Sequence, residues 1–185
     1  RLLSQYDGRE PFTSFSKKYF SQHRKYGSKD RKMINHLCYC YFRLGKAMQG
    51  AATGEKIITG YFLCTPVPSD FLAGIRPEWN EKTSLSFDQK VNLIDTSFSP
   101  ADVFPWENDL SDGVAISSLT TSFFIQPDLF LRLRPGREQG VKQQLADAGI
   151  SFTSCGDSCI AVGNGVKIDS LMEPDRDAVV QDRSS

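Results

Sequence analysis

Lysine and arginine crowd the first third of the chain. Lys17, Lys18, Arg24, Lys25, Lys29, Arg31, Lys32, Arg43 and Lys46 fall within 30 residues, and between residues 9 and 46 only Glu10 and Asp30 oppose them. The cluster spans a helix end, a loop and the start of the next helix. Phosphate oxygens could there meet both cationic side chains and free backbone N–H groups, so the chemistry suggested is that of a polyanion contact. A charge run is also often no more than a solvated helix face, and that reading stands beside the first. Asp30 and Arg31 have a structural alternative of their own: Asp30 suits the positive end of a helix, and Arg31 can pair internally.

Cysteine and histidine are the other reactive types. Cysteines stand at 38, 40, 64, 155 and 159, and His23 and His36 are the two histidines. An odd count without framework spacing argues against a disulfide scaffold. Cys155 and Cys159 lack the second Cys or His pair that a zinc site needs. Five reduced thiols, no metal and a cytoplasmic location are therefore expected. The chain opens Arg1-Leu2-Leu3-Ser4 and turns polar at once, so no signal peptide is expected; it begins without Met, so a trimmed N-terminus is expected too. No apolar run approaches the roughly 20 residues that cross a bilayer, which argues against a membrane partner.

Net charge is zero but unevenly spread. Residues 1–56 carry twelve Lys/Arg against four Asp/Glu, whereas residues 69–115 carry three against nine. A basic first third over a neutral whole fits a localised polyanion surface rather than a general nucleic-acid coat.

The elements that must position these groups begin as helices. Pro11 fits a first helical turn, and Phe12, Phe15, Tyr19 and Phe20 follow at helical spacing. Gly27 is expected to end that helix and Ser28 to cap the next, whose stripe is Met33, Leu37, Tyr41 and Leu44. Cys38 and Cys40, two apart on it, should face different sides. Ile57, Ile58, Tyr61 and Phe62 mark a third helix. Short helices fit between Pro66, Pro68, Pro77, Pro100 and Pro105, with a capping box at Ser86-x-x-Gln89 and a Ser111 cap before Val114, Ile116, Leu119 and Phe123. Trp79, Phe104 and Trp106 read as core plugs.

At Gln126-Pro127 the period changes from helix to strand. Leu129, Leu131 and Leu133 alternate with Phe130, Arg132 and Arg134, as in a half-buried strand. Pro135-Gly136 turns the chain into a helix with Val141, Leu145 and Ala148, ended by Gly149. A short strand is expected at 150–152, and a hairpin from Cys159–Val162 to Val166–Ile168 around Gly163-Asn164-Gly165. Phe130, Arg132 and Arg134 share a face that could stack and pair with single-stranded RNA or pack on another domain.

Three strings then resemble a known family. Tyr26-Gly27-Ser28-Lys29-Asp30-Arg31-Lys32-Met33-Ile34, continuing through Tyr39 and Arg43-Leu44-Gly45-Lys46, resembles the N-terminal domain of Sun (Fmu) family RNA cytosine-5 methyltransferases, itself similar to the antitermination factor NusB. Asp30-Arg31 stands where that family opens a helix, and Tyr39 with Arg43 where it closes in Tyr-x-x-x-Arg. Pro127 to Pro135 resembles the family's strand Pro-x-x-x-x-Arg-hydrophobic-Asn, with Arg134 departing from the Asn. Phe104-Pro105-Trp106 sits where related bacterial proteins carry a similar string. The closing Gln181-Asp182-Arg183-Ser184-Ser185 resembles the segment that leads into the family's methyltransferase domain.

The resemblance implies a mainly α chain with a small α+β part: a NusB-like helical bundle over 1–125, a small RRM-like α/β subdomain over 126–170, and a linker over 171–185 into a methyltransferase domain. It implies rRNA as partner; in that context the charge cluster and the strand face make Lys17, Lys18, Arg24, Lys25, Lys29, Arg31, Lys32, Arg43, Arg132 and Arg134 the expected RNA-binding residues, and a monomer is expected. S-adenosylmethionine is implied for the parent enzyme only. This chain lacks the Gly-rich cofactor loop and the Pro-Cys pair, so no catalytic residue and no cofactor are expected in it. The alternatives are a free-standing NusB-type RNA- and protein-binding module, and a purely structural docking role.

Overall fold

The computed structural model describes residues 1–94 and 98–181. The chain divides into two compact units, Arg1–Ile125 and Gln126–Ser185. Helices dominate, and one small four-stranded antiparallel sheet completes a mainly α architecture with a small β part.

In the first unit the helices are α1 (Leu2–Gln5), α2 (Phe12–Gln22), α3 (Ser28–Arg43), α4 (Thr53–Cys64), α5 (Asp70–Ile75), α6 (Pro77–Asn80), α7 (Phe87–Val91) and α8 (Ile116–Phe124). Pro11 precedes α2, and its carbonyl accepts from the N–H groups of Ser14 and Phe15. Phe12, Tyr19 and Phe20 are buried with Leu2 and Cys38. Helix α2 stops at Gln22, five residues before Gly27, which lies instead at the N-cap of α3. There the carboxylate of Asp30 accepts from the Gly27 N–H at 3.1 Å. Ser28, expected as the cap, is the first helical residue, because Asp30 supplies the acceptor from within the first turn.

Helix α3 is packed on two sides, and this redistributes its buried positions. Cys38 joins the α1–α2 cluster, while Cys40 joins Tyr61, Phe62 and Leu72. Of the expected stripe Leu44 is buried, Leu37 and Tyr41 are half-buried, and Met33 is exposed. Where α3 meets α4, a Cβ on Gly60 would run into the carbonyl oxygen of Cys40. A glycine is what lets these two backbones approach.

Helix α7 opens with a reciprocal capping box, Ser86 N–H to Gln89 Oε1 at 3.0 Å and Gln89 N–H to Ser86 Oγ at 3.4 Å. This orients Lys90 inward, and its ammonium donates to the carbonyls of Phe62 at 3.1 Å and Thr65 at 2.8 Å, closing the end of α4. Helix α8 begins at Ile116 rather than at Ser111, whose carbonyl instead accepts from Val114 in a turn. The three bulky rings differ in placement. Trp79 stacks on Phe62 at 4.7 Å, Phe104 is half-buried, and Trp106 is 46% exposed and so is no core plug.

The second unit runs β1 (Leu129–Leu133), α9 (Glu138–Asp147), β2 (Phe152–Ser154), β3 (Cys159–Val162) and β4 (Ala178–Gln181). The strand order is β2-β3-β1-β4, antiparallel throughout. Leu131, Leu133, Ile160, Val162 and Ala178 bury one sheet face against Val141 and Leu145 of α9. Two expectations are corrected. Val166–Ile168 is no hairpin strand. The chain turns away after Gly165 so that Ile168 and Met172 enter the core, and β3 pairs with β1 and β2. Residues 171–181 are no linker either, because Ala178–Gln181 pairs with β1 in register, Leu131 opposite Val180 and Leu133 opposite Ala178. Without that strand β1 would present an unpaired edge of backbone donors and acceptors. Asp182–Ser185, the greater part of the closing string, lie outside the described residues.

Candidate nucleic-acid interface

The N-terminal cations sort by what their side chains do. Lys17 and Lys18 project from α2, Arg24 and Lys25 from the loop that follows, and Lys29 and Lys32 from the first turns of α3, all exposed. Lys29 and Lys32 are three apart and share one helix face. Lys25 Nζ lies 5.2 Å from the centroid of the Tyr26 ring, leaving its charge at the surface. Lys18 is held by Glu10 at 2.8 Å, an exposed pair that phosphate could displace at little cost.

Arg31 and Arg43 are different. The Arg31 Nε donates to the carbonyl of Tyr26 at 2.8 Å, and its guanidinium lies 5.8 Å from the Phe20 ring centroid. It fastens the α2–α3 loop to α2. Arg43 donates to the carbonyls of Phe123 at 2.9 Å and Ile125 at 3.1 Å, satisfying the end of α8. It also stands eleven residues beyond Lys32, about 16 Å along the helix axis. The surface that remains is Lys17, Lys18, Arg24, Lys25, Lys29 and Lys32. Asp30 sits among them but is committed to the Gly27 N–H.

In the second unit, the sheet face turned away from α9 carries Phe130 and Arg132 of β1, flanked in register by Ala161 and Cys159 of β3 and by Gln181 and Val179 of β4. Phe130 is half-buried and Arg132 exposed. Arg134 lies beyond the strand, where its Nε donates to the carbonyl of Asp175 at 2.9 Å and pins the turn before β4. Arg134 thus also anchors a turn.

The thiols and histidines offer no comparable site. All five cysteines are free. Burial pushes the Cys38 thiol up to about 11. The Cys40 thiol is also raised, chiefly by its hydrogen bond to Cys64 and then by burial. His36, with Nε2 3.8 Å from the Cys40 sulfur, is held below the ordinary histidine value by burial and then by Arg43. No group of three or more His, Cys, Asp or Glu among the described residues could hold a metal ion. The strand-to-helix junction from β1 to α9 reads Arg134-Pro135-Gly136-Arg137, with a single glycine, and does not form the Gly-rich cradle that a nucleotide-like cofactor needs.

Sequence reasoning misses Lys90. Its only signal there is a single charge just before Val91, at the end of the segment that the Ser86/Gln89 box opens. Among the described residues, no helix is long and apolar enough to cross a membrane. Comparison with protein-family models, with characterised proteins and with solved structures finds no match to this chain.

Proposed function

We propose that this chain is a non-catalytic RNA-binding and RNA-orienting region of a Sun-like rRNA cytosine-5 methyltransferase, with a NusB-like helical unit and an RRM-like sheet unit. The observation that carries the RNA reading is the run of exposed cations Lys17, Arg24, Lys25, Lys29 and Lys32 across α2, the α2–α3 loop and α3. These cations would position a phosphate backbone without reading bases. The sheet unit supports the reading independently. Its four antiparallel strands with one helix beneath offer an aromatic and an exposed cation side by side, as RRM-type sheets do when they stack and pair unstacked bases. Methyl transfer and S-adenosylmethionine belong, on this proposal, to a domain outside these residues, in a cytoplasmic enzyme.

The test is binding of a structured rRNA fragment, followed by fluorescence anisotropy, to the wild-type chain and to K25E/K29E/K32E. Saturable binding by the wild type with marked weakening in the variant is expected. Equal binding by the two proteins would leave the lysines as a solvated face and sink the reading.

A further inference from the structure

The first unit has a second surface of opposite character. From Val91 to Ile125 the sequence holds five acidic residues and no lysine or arginine. The turn at Pro100–Asp102 packs on α8, and between them opens a groove of about 410 Å³. Pro100, Phe104, Pro105, Ile116 and Thr120 line it, and Glu107 stands at its edge. The volume lies at the small end of ligand clefts, roughly 300–1,000 Å³. Ala101, Pro105 and Ser117 of its lining are exposed, so the groove lies open along its length rather than closing over a small molecule.

Apolar surface continues beyond the groove. Trp106 is 46% exposed, Val114 46% and Phe123 36%. Phe104 joins the two rings, edge-to-face with Trp106 at 5.3 Å and tilted against Phe123 at 6.4 Å. Asp102, Glu107, Asp109 and Asp112, all exposed, flank Trp106 in the sequence, and Glu107 is among the residues that line the groove. None of the four is in an ion pair among the described residues. Two cations come near and keep their charge, Lys46 with its Nζ 5.9 Å from the Trp106 ring centroid and Arg43 on the carbonyls of Phe123 and Ile125, so the four carboxylates outnumber them. An apolar groove lined by Glu107, in a stretch of chain with an excess of carboxylates, disfavours phosphate and favours cations that carry apolar side chains.

We propose that this groove docks a Lys/Arg-rich amphipathic segment of a partner protein, its aliphatic or aromatic side chains seated on Phe104 and Ile116 and its cations meeting Glu107, Asp109 and Asp112. The mode is an amphipathic segment laid in a groove. It does not depend on RNA binding at the lysine surface.

The probe is a fourteen-residue peptide of Lys and Leu at helical spacing, with a Glu/Leu peptide of the same pattern as its opposite. Trp79 and Trp106 are the two tryptophans, so W79F leaves Trp106 as the reporter. Saturable one-to-one binding of the Lys/Leu peptide with a change in Trp106 emission is expected, and no binding of the Glu/Leu peptide. The variant E107K/D109K/D112K should weaken binding by roughly tenfold and make what remains less sensitive to salt. Ser117→Trp, at an exposed position lining the groove, should block binding while leaving the circular dichroism unchanged. The proposal is overturned if neither peptide binds, if both bind alike, or if both variants bind as wild type. It is overturned too if sedimentation shows that the chain self-associates through this face, since the occupant would then be a second copy. Displacement of the peptide by RNA at this face would overturn it as well.

Discussion

Lys90 donates its ammonium to the carbonyl of Thr65 at 2.8 Å, and only 4% of the residue is exposed. With a second bond to the Phe62 carbonyl at 3.1 Å and the Phe62 ring centroid at 5.3 Å, the charge serves as the C-terminal cap of α4. Cations suit that end of a helix, because its last carbonyls have no intrahelical donor.

Replacing Lys90 by Met keeps most of the stem and removes the donor. The two carbonyls are then left buried and unmet, and unfolding in urea is expected to show a loss of about 1–3 kcal/mol. Burial lowers the Lys90 ammonium below the usual 10.5. Between the lowered value and 10.5 the unfolded chain therefore holds a proton that the folded chain has released. Stability rises with pH across that window. Lys90→Met should flatten that alkaline rise; an unchanged profile would mean the ammonium is not what titrates there.

Gly60 gives a second, sharper test of the α3–α4 contact. Gly60→Ala places a methyl against the Cys40 carbonyl and should destabilise the chain by about 1–3 kcal/mol. Gly54, in the same helix, has nothing near its missing Cβ. Gly54→Ala should be neutral or stabilising by up to about 1 kcal/mol. Thermal melts of the two variants separate packing from propensity, and similar shifts in both would refute the close approach.

Local chemistry made some of this legible in the sequence. The Ser86/Gln89 box, the β1 alternation and the Val141/Leu145 face each need only residues a few positions apart, and the structure has each of them. What escaped depended on distant partners. Helix α3 has cores on two sides, so a single stripe could not describe it, and Met33 is exposed. Ala178–Gln181 becomes a strand because β1, far earlier in the chain, needs an edge partner. The basic cluster was legible as composition, but composition could not separate Lys29 from Arg31. That distinction rests on one carbonyl, Tyr26, and one ring, Phe20.

The second unit should respond to acid through Asp177. Its carboxylate is held below the ordinary 3.8, chiefly by Arg176 and then by the Glu173 N–H. A depressed acid stabilises the fold above its unfolded value, and that contribution is lost as pH falls through the depressed one. Stability of this unit should therefore decline below about pH 4, followed by amide exchange at β4. Asp177→Asn should remove the decline along with the stabilisation. A variant that keeps the full acid response would locate it elsewhere.

The salt dependence of RNA binding separates cations that touch phosphate from cations that hold the fold. Lys25, Lys29 and Lys32 have exposed side chains that can release counterions on binding. Charge reversal at the three should lower the log–log slope by about 0.7 to 0.9 for each phosphate that is no longer neutralised. Their fold should persist, since all three lie off the buried positions Cys38, Cys40 and Leu44. Arg31→Ala and Arg43→Ala should do the opposite. Arg31→Ala frees the Tyr26 carbonyl and Arg43→Ala those of Phe123 and Ile125, so melting temperature drops while the slope stays near wild type. Anisotropy titrations at several salt concentrations, paired with melts, read both quantities. If Arg31→Ala changes the slope as much as a lysine does, its guanidinium leaves the Tyr26 carbonyl for phosphate when RNA arrives, and the division between surface and anchor fails at that residue.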